Sequence, residues 1–208
     1  MLTSDTFVGN EAPRTLGEGG AVHVGAGLEL IVHNSTFAGN EGRFGGAIWA
    51  DIGSQVSLVH TTMSGPTASV GDALFSLGTV DFESCLVDGE CAGTGSRTSL
   101  GSNLESPGDT CGFSAETDRP NVGNAALGSL ADHGGPTPTL VPRPDSPARD
   151  FAVCALLTDQ RGAARPFDGG GGLRCDAGAV EADSPPPDWI FADGFESGDT
   201  EAWSLVLD

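Results

Sequence analysis

The tetrapeptide GGAV at residues 19–22 returns as GGAI at residues 45–48, and FVGN at residues 7–10 returns as FAGN at residues 37–40. The two recurrences are offset by 26 and 30 residues. Self-similarity at such a period is typical of a stacked repeat, in which each period forms one supersecondary unit. We therefore expect a protein built to present an extended surface, which does not by itself imply a chemistry.

Alternation of apolar and polar residues follows each GGA motif. It runs through residues 30–36 and again through residues 56–62, and a weaker third copy combines GDAL at residues 71–74 with an alternating segment at residues 80–82. Period-two alternation indicates a strand with one buried face. Each unit is thus predicted to contain a short strand at GGA, a turn, a longer alternating strand, and a turn that ends in Gly-Asn.

Such units occur in propellers, hairpin arrays and solenoids. Propeller blades need four strands and about 40 residues each, and hairpin arrays would show two-residue Asn-Gly or Asp-Gly turns at regular places. A period near 26 residues with two or three short strands suits one coil of a parallel β-helix better. In that fold, equivalent residues of successive coils stack about 4.8 Å apart.

Stacking of the coils predicts columns of equivalent side chains. A small-residue ladder inside the solenoid would consist of Ala21, Ala47 and Ala73. A polar column at one corner would consist of Asn34, His60 and Ser84.

Two further corners are predicted from the turn residues. The Gly-Gly pairs at residues 19–20 and 45–46 would permit a tight corner with positive φ. Asn10 and Asn40 would turn another corner, because asparagine tolerates the left-handed region and bonds its own backbone.

The pairing of GGA(I/V) with FxxN resembles the repeats of polymorphic outer membrane proteins, which are carried on right-handed parallel β-helices. The resemblance covers about residues 1–90. The predicted fold is therefore all-β: a right-handed parallel β-helix (solenoid) of about three coils, with a loop-rich C-terminal cap.

Residues 91–181 lose the periodicity and contain a series of separate motifs. LGSLADHGGPT at residues 127–137 precedes SPA at 146–148, DQRG at 159–162 and CDAGA at 175–179. This order resembles the closing region of bacterial surface β-helix proteins known as choice-of-anchor Q domains, with a match from about residue 99 to Glu181. Arg149 and Val180 depart from the family, which usually has an aliphatic and an aromatic residue there.

This closing region is predicted to cap the solenoid. A cap must cover the last apolar layer and the exposed strand edge. Asp159 and Arg161 are expected to form a partly buried pair that fixes one of its loops. We assign that pair a structural role.

Residues 182–208 form a third segment, a short stiff linker at residues 184–187 followed by an acidic tail. From Glu181 onward there are eight acidic residues and no basic one. The FADGFESGD sequence at residues 191–199 is similar to C-terminal tails of exported Gram-negative proteins, which implies a sorting or anchoring role.

The start of the chain lacks the basic and apolar regions of a signal peptide. No apolar run approaches the ~18 residues of a membrane span. Because the FxxN motif begins at Phe7 with no cap before it, we expect the chain to be the C-terminal part of a longer exported protein.

Charge limits the classes of partner. The chain has nine arginines, no lysine and a net charge of −20. This argues against nucleic acid and anionic membranes, both of which need basic patches. We expect a monomer without a cofactor; the acidic surface leaves open a loose binding of calcium.

Five cysteines indicate an oxidising compartment. Cys91 and Cys111 bracket one Gly- and polar-rich loop, and Cys154 and Cys175 bracket another. A disulfide closing a loop of about twenty residues would stabilise the fold by roughly 3 kcal/mol, and disulfides persist in the periplasm or outside the cell. Cys85 is left without a partner; the alternative is that all five are reduced and buried.

Catalytic motifs are weak. Asp81 and Glu83 lie on one face of a predicted strand, a spacing that can bring two carboxylates to the ~5–9.5 Å that glycosidase chemistry requires. Two acids at this spacing are expected by chance on an acidic protein, and the chain has no GxSxG, HExxH or lyase lysine. The sequon at residues 34–36 falls inside a predicted strand.

We therefore expect a non-catalytic protein at the outer-membrane surface of a Gram-negative bacterium or outside the cell. Its function would be adhesion or surface display, with an unidentified surface or polysaccharide as ligand. The alternative is a remnant of a carbohydrate-active β-helix enzyme, of the polysaccharide lyase or glycoside hydrolase type. A groove with at least three carboxylates and an arginine would favour that alternative.

Overall fold

Three parallel β-sheets wind around a common core in the computed structural model of the chain, which describes residues 1–13, 17–167 and 174–187. Sheet 1 contains β1 (Leu2–Thr3), β4 (Glu29–His33), β7 (Gln55–Val59), β10 (Thr79–Glu83) and β13 (Ser96–Gly101). Sheet 2 contains β2 (Thr6–Val8), β5 (Thr36–Ala38), β8 (Thr62–Ser64), β11 (Leu86–Asp88) and β14 (Leu104–Ser106). Sheet 3 contains β3 (Val22–Val24), β6 (Ile48–Ala50), β9 (Leu74–Ser76) and β12 (Cys91–Ala92).

Every pairing between these strands is parallel, and each coil adds one strand to each sheet. The predicted parallel β-helix of about three coils is thus confirmed, and the described residues contain no helix. The parallel stack continues through β12, β13 and β14 to Ser106.

The register of the strands matches the sequence repeat. Val22 pairs with Ile48, and Ile48 with Leu74. The predicted alanine ladder also forms, because the Ala47 N–H donates to the Ala73 carbonyl at 3.2 Å and both residues are fully buried.

Side chains that alternate along the strands fill the solenoid. Phe37 pairs with Met63 in sheet 2, and both are buried in the core. From sheet 1, Val56, Leu58 and Phe82 enter the same core. The apolar half of each alternating segment therefore faces inward, as predicted.

A column of left-handed residues turns the chain from sheet 1 into sheet 2 in every coil. The predicted polar column belongs to this set, which we call the corner column. Its members have φ between +44° and +61°: Ser4, Asn34, His60, Ser84 and Ser102.

The prediction that Asn10 and Asn40 adopt the left-handed region at their corner is wrong. Gly9 and Gly39, one residue earlier, carry the positive φ of +60° and +59°, because glycine adopts this region without a Cβ penalty. The asparagines instead stack: the Asn10 amide donates to Asn40 Oδ1 at 2.9 Å, and the buried Asn40 amide donates to the Phe7 carbonyl at 2.9 Å.

Residues after Ser106 cover the solenoid at two places. At its end, Phe113 enters the main core and meets the Phe82 ring edge-on, with 5.1 Å between the centroids. Along its side, Leu86 and Leu104 point out of sheet 2 into a second core, which the C-terminal region supplies with Ala148, Phe151, Ala152 and Ala177. The loop-rich cap thus closes the end of the solenoid and also covers its side along sheet 2, and we call this second part the lateral cover.

The GGA corner supplies a sharp test of the fold. Gly45 has φ +61°, and a Cβ there would lie 2.1 Å from the Ile48 carbonyl oxygen. Gly53 has φ +72°, but its Cβ would have no neighbour closer than 3.8 Å. Urea unfolding should show a loss of about 1 kcal/mol for Gly53→Ala and at least ~3 kcal/mol for Gly45→Ala; equal losses would contradict the backbone packing at this corner.

Candidate functional site

The corner column bonds directly to the C-terminal region. The Asn34 amide donates to the Thr158 carbonyl at 2.7 Å, and the Ser84 hydroxyl donates to the Val153 carbonyl at 2.8 Å. In return, the Val153 N–H donates to the Ser102 hydroxyl at 3.1 Å. Asn34 begins the sequon and is buried in the folded chain.

His60 occupies the middle of this column. Its Nε2 accepts a hydrogen bond from the Ala155 N–H at 3.2 Å, and its Nδ1 lies 3.3 Å from the Gly178 carbonyl oxygen. These partners assign a neutral ring that donates from Nδ1. Burial, and secondly the charge of Arg165, hold the pKa of His60 well below 6.5.

Gln160, from the DQRG motif, bonds to the outer threonines of sheet 2. Its Oε1 accepts from the Thr36 hydroxyl at 2.6 Å, and its Nε2 donates to the hydroxyls of Thr6 at 2.7 Å and Thr137 at 2.9 Å. One buried amide thus connects two coils with the C-terminal region.

The predicted pair of Asp159 and Arg161 forms and is buried. The Arg161 Nε donates to Asp159 Oδ2 at 2.9 Å. The same guanidinium donates to the carbonyls of Glu181 at 2.6 Å and Ser184 at 2.9 Å. The pair fixes the loop that carries it against residues 181–184.

A second buried pair lies beside it. Arg165 donates to the Glu181 carboxylate at 3.1 Å and to the carbonyls of Asp176 at 2.9 Å and Gly178 at 2.8 Å. Burial raises the pKa of Glu181 and of Asp176 above their ordinary values. Sequence reasoning missed this pair, because its partners are 16 residues apart in a segment without periodicity.

Both predicted disulfides are present. Cys91 is bonded to Cys111 and Cys154 to Cys175. Cys85 is the free cysteine, and burial raises the pKa of its thiol to about 12. Cys85 lies within the main core and is almost fully buried.

The outer face of sheet 1 contains the predicted acid pair. Register places Asp81 beside Ser57 and Thr98, and Glu83 beside Val59 and Gly101. A shallow cleft of about 110 Å³ crosses this face, lined by Glu29, Gln55, Val56, Ser57, Thr79 and Asp81. This lining offers hydrogen-bonding groups and carboxylates, and it includes no cation.

A larger cleft of about 310 Å³ lies in the C-terminal region. Its charged lining comprises Glu116, Asp118, Arg119, Asp150 and Arg174, with Phe151 beside them. We call it the arginine cleft. Sequence reasoning did not single out any of these residues, since their positions span about sixty residues of irregular chain and no motif joins them.

The acids of the arginine cleft are not equivalent. Asp118 accepts from the Ser99 hydroxyl at 2.6 Å, the Asn103 N–H at 2.9 Å and the Ala115 N–H at 2.8 Å, so its carboxylate is used to fix the backbone.

Among the described residues, no three His, Cys, Asp or Glu side chains are grouped closely enough to hold a metal ion.

Comparisons with protein-family models, with curated proteins and with solved structures find no match to the chain. The resemblances to polymorphic outer membrane protein repeats and to choice-of-anchor Q domains therefore remain hypotheses. Within the described ranges, no helix has the length and apolarity needed to cross a membrane.

His60 should make folding sensitive to pH. Because its folded pKa is lowered, its neutral form stabilises the fold fully above the unfolded value near 6.5, and this contribution is lost as the pH falls below that value. The variant His60→Asn places at this corner the residue that Asn34 provides one coil earlier.

We expect the unfolding free energy of the wild type to fall relative to that of His60→Asn by up to about 1.4 kcal/mol per pH unit below pH 6.5. Taking the difference between the two proteins removes the opposite contributions of Asp176 and Glu181, which both contain. Urea unfolding between pH 8 and pH 5 measures this difference in unfolding free energy. A difference that does not change with pH would rule out a buried neutral imidazole.

Proposed function

We propose that this chain is a non-catalytic, exported or cell-surface β-helix repeat protein of a Gram-negative bacterium, which serves adhesion or surface display. The proposal rests on a difference between sheets 1 and 2 in how far their outer faces are covered. The C-terminal region covers the outer face of sheet 2, whereas sheet 1 carries a row of polar side chains from successive coils, Glu29, Gln55, Thr79 and Ser96. Solenoids use such extended faces for binding.

Two disulfides support export. Both fasten segments of the C-terminal region, and such bonds persist in oxidising compartments. The net charge of −20 suits a soluble surface that does not adhere to anionic lipids. The two family resemblances, which are those of surface proteins, point the same way.

The alternative is a remnant of a carbohydrate-active enzyme, and the arginine cleft is the observation that favours it. The cleft brings three carboxylates and two arginines together. Asp118, however, accepts bonds from Ser99, Asn103 and Ala115, which leaves Glu116 and Asp150 as the acids available to a ligand. This arrangement supports binding better than hydrolysis.

Adhesion tests the proposal. Beads coated with the whole chain should adhere to at least one surface in a panel of immobilised neutral and acidic polysaccharides and cultured cell layers. Ser57→Arg places a long cation in the middle of the open face of sheet 1 and should reduce adhesion at least five-fold. Asp109→Arg, the same kind of cation at an exposed loop after the last strand, should leave it unchanged.

Two results would oppose the proposal. Adhesion equal in wild type and Ser57→Arg would remove sheet 1 as the presenting face. Release of reducing sugars or unsaturated products from any polysaccharide in the panel would favour the enzyme remnant.

A further inference from the structure

Positive charge is scarce in this chain, and part of it is neutralised by internal ion pairs. Nine arginines face 29 acidic residues. Ion pairs to described carboxylates engage Arg143, Arg149, Arg161 and Arg165. An arginine without a described carboxylate partner keeps its charge available to an external anion.

Arg119 and Arg174 are two such arginines, and they line the same cleft. To described residues, the guanidinium of Arg119 donates one bond, to the Pro147 carbonyl at 2.7 Å, and that of Arg174 donates one, to the Phe151 carbonyl at 3.1 Å. A guanidinium has five N–H donors. Most of the donors are thus left for a ligand.

The two cations are held close enough to repel each other. Burial, and secondly the charge of Arg174, lower the pKa of Arg119. The Arg119 guanidinium also lies 4.0 Å above the centroid of the Phe151 ring, which restricts its position. An anion between the two arginines would relieve this repulsion.

Rigid backbone supports both arginines. The Arg119 N–H donates to the Asn103 carbonyl at 2.7 Å, which extends the solenoid by one bridge. Arg174 directly precedes Cys175, whose disulfide and main-chain bonds to residues 152–154 fix that segment. A site whose ligating groups are fixed in advance loses less entropy on binding.

The acids of the cleft restrict the ligand further. The carboxylates of Glu116 and Asp150 accept no hydrogen bond from any described residue. A simple anion would be repelled by them, whereas a ligand with hydroxyl groups would donate to them. The cleft therefore fits a molecule that combines a carboxylate with several hydroxyls.

We propose that the arginine cleft binds a uronic acid residue of an acidic polysaccharide. Its carboxylate lies between Arg119 and Arg174, and its hydroxyls donate to Glu116 and Asp150. A volume of about 310 Å³ is within the range of small-ligand sites. This inference deepens the proposed function by naming a ligand class for a second surface, distinct from sheet 1.

Calorimetric titration of the whole chain with galacturonate and oligogalacturonate tests the site. The methyl ester of the sugar, which has the same hydroxyls and no charge, should bind at least ten-fold more weakly. Arg174→Gln and Arg119→Gln should each weaken oligogalacturonate binding at least ten-fold, and Arg143→Gln should stay within two-fold of the wild type. Thermal unfolding of each variant shows whether it is folded. Because Arg174 is exposed, Arg174→Gln keeps the test valid even if Arg119→Gln does not fold.

Glu116→Ala gives a result that depends on the kind of ligand. Loss of a hydroxyl acceptor weakens the binding of a uronate, whereas a site for a plain anion binds more tightly once a negative charge is removed. The proposal would be overturned if Glu116→Ala bound oligogalacturonate more tightly than the wild type, or if the methyl ester or polyglutamate bound the wild type as tightly as the uronate does. It would also be overturned if neither Arg119→Gln nor Arg174→Gln weakened binding. Adhesion that persists in Arg174→Gln would then leave the role of sheet 1 intact.

Discussion

The left-handed corner between sheets 1 and 2 is the constraint on which the rest of the structure depends. Each coil must turn there, and small or polar residues make the turn possible: Ser4, Asn34, His60, Ser84 and Ser102. Four of these side chains, those of Asn34, His60, Ser84 and Ser102, then bond the main chain of residues 153–158 and 178. One column of residues thus shapes the solenoid and fastens the C-terminal region to it.

This attachment decides which surfaces are available. The CDAGA motif approaches sheet 2 so closely that a Cβ on Gly178 would lie 2.4 Å from the Thr62 hydroxyl. The Gly178 N–H donates to the Ser84 carbonyl at 2.8 Å, and the Ala179 N–H to the Thr62 hydroxyl at 2.8 Å. The outer face of sheet 2 therefore becomes an interior surface, whereas the polar face of sheet 1 and the arginine cleft stay uncovered by this region.

Local pattern was enough to predict the solenoid. Period-two alternation, the 26-residue offset and the loop-bracketing cysteines located the strands, the alanine ladder and both disulfides, because each depends on short-range order or on one repeated spacing. The positive φ predicted for Asn40 belongs to Gly39, because both residue types tolerate that region and the sequence does not separate them.

The lateral cover and the arginine cleft were not predictable in the same way. Gln160 meets Thr36 across 124 residues, and the cleft joins Arg119 to Arg174 through irregular chain. No periodicity specifies such pairings. Asp159, Arg161 and Glu181 are buried and require partners, but their burial is visible only in the structure.

Hydrogen exchange of the native chain tests the lateral attachment most directly. The amides of Ala155, Gly178 and Ala179, which donate to His60, Ser84 and Thr62, should exchange as slowly as those of β8 and β11. Exchange of these three amides at the rate of an exposed loop, with the strands still protected, would contradict the account.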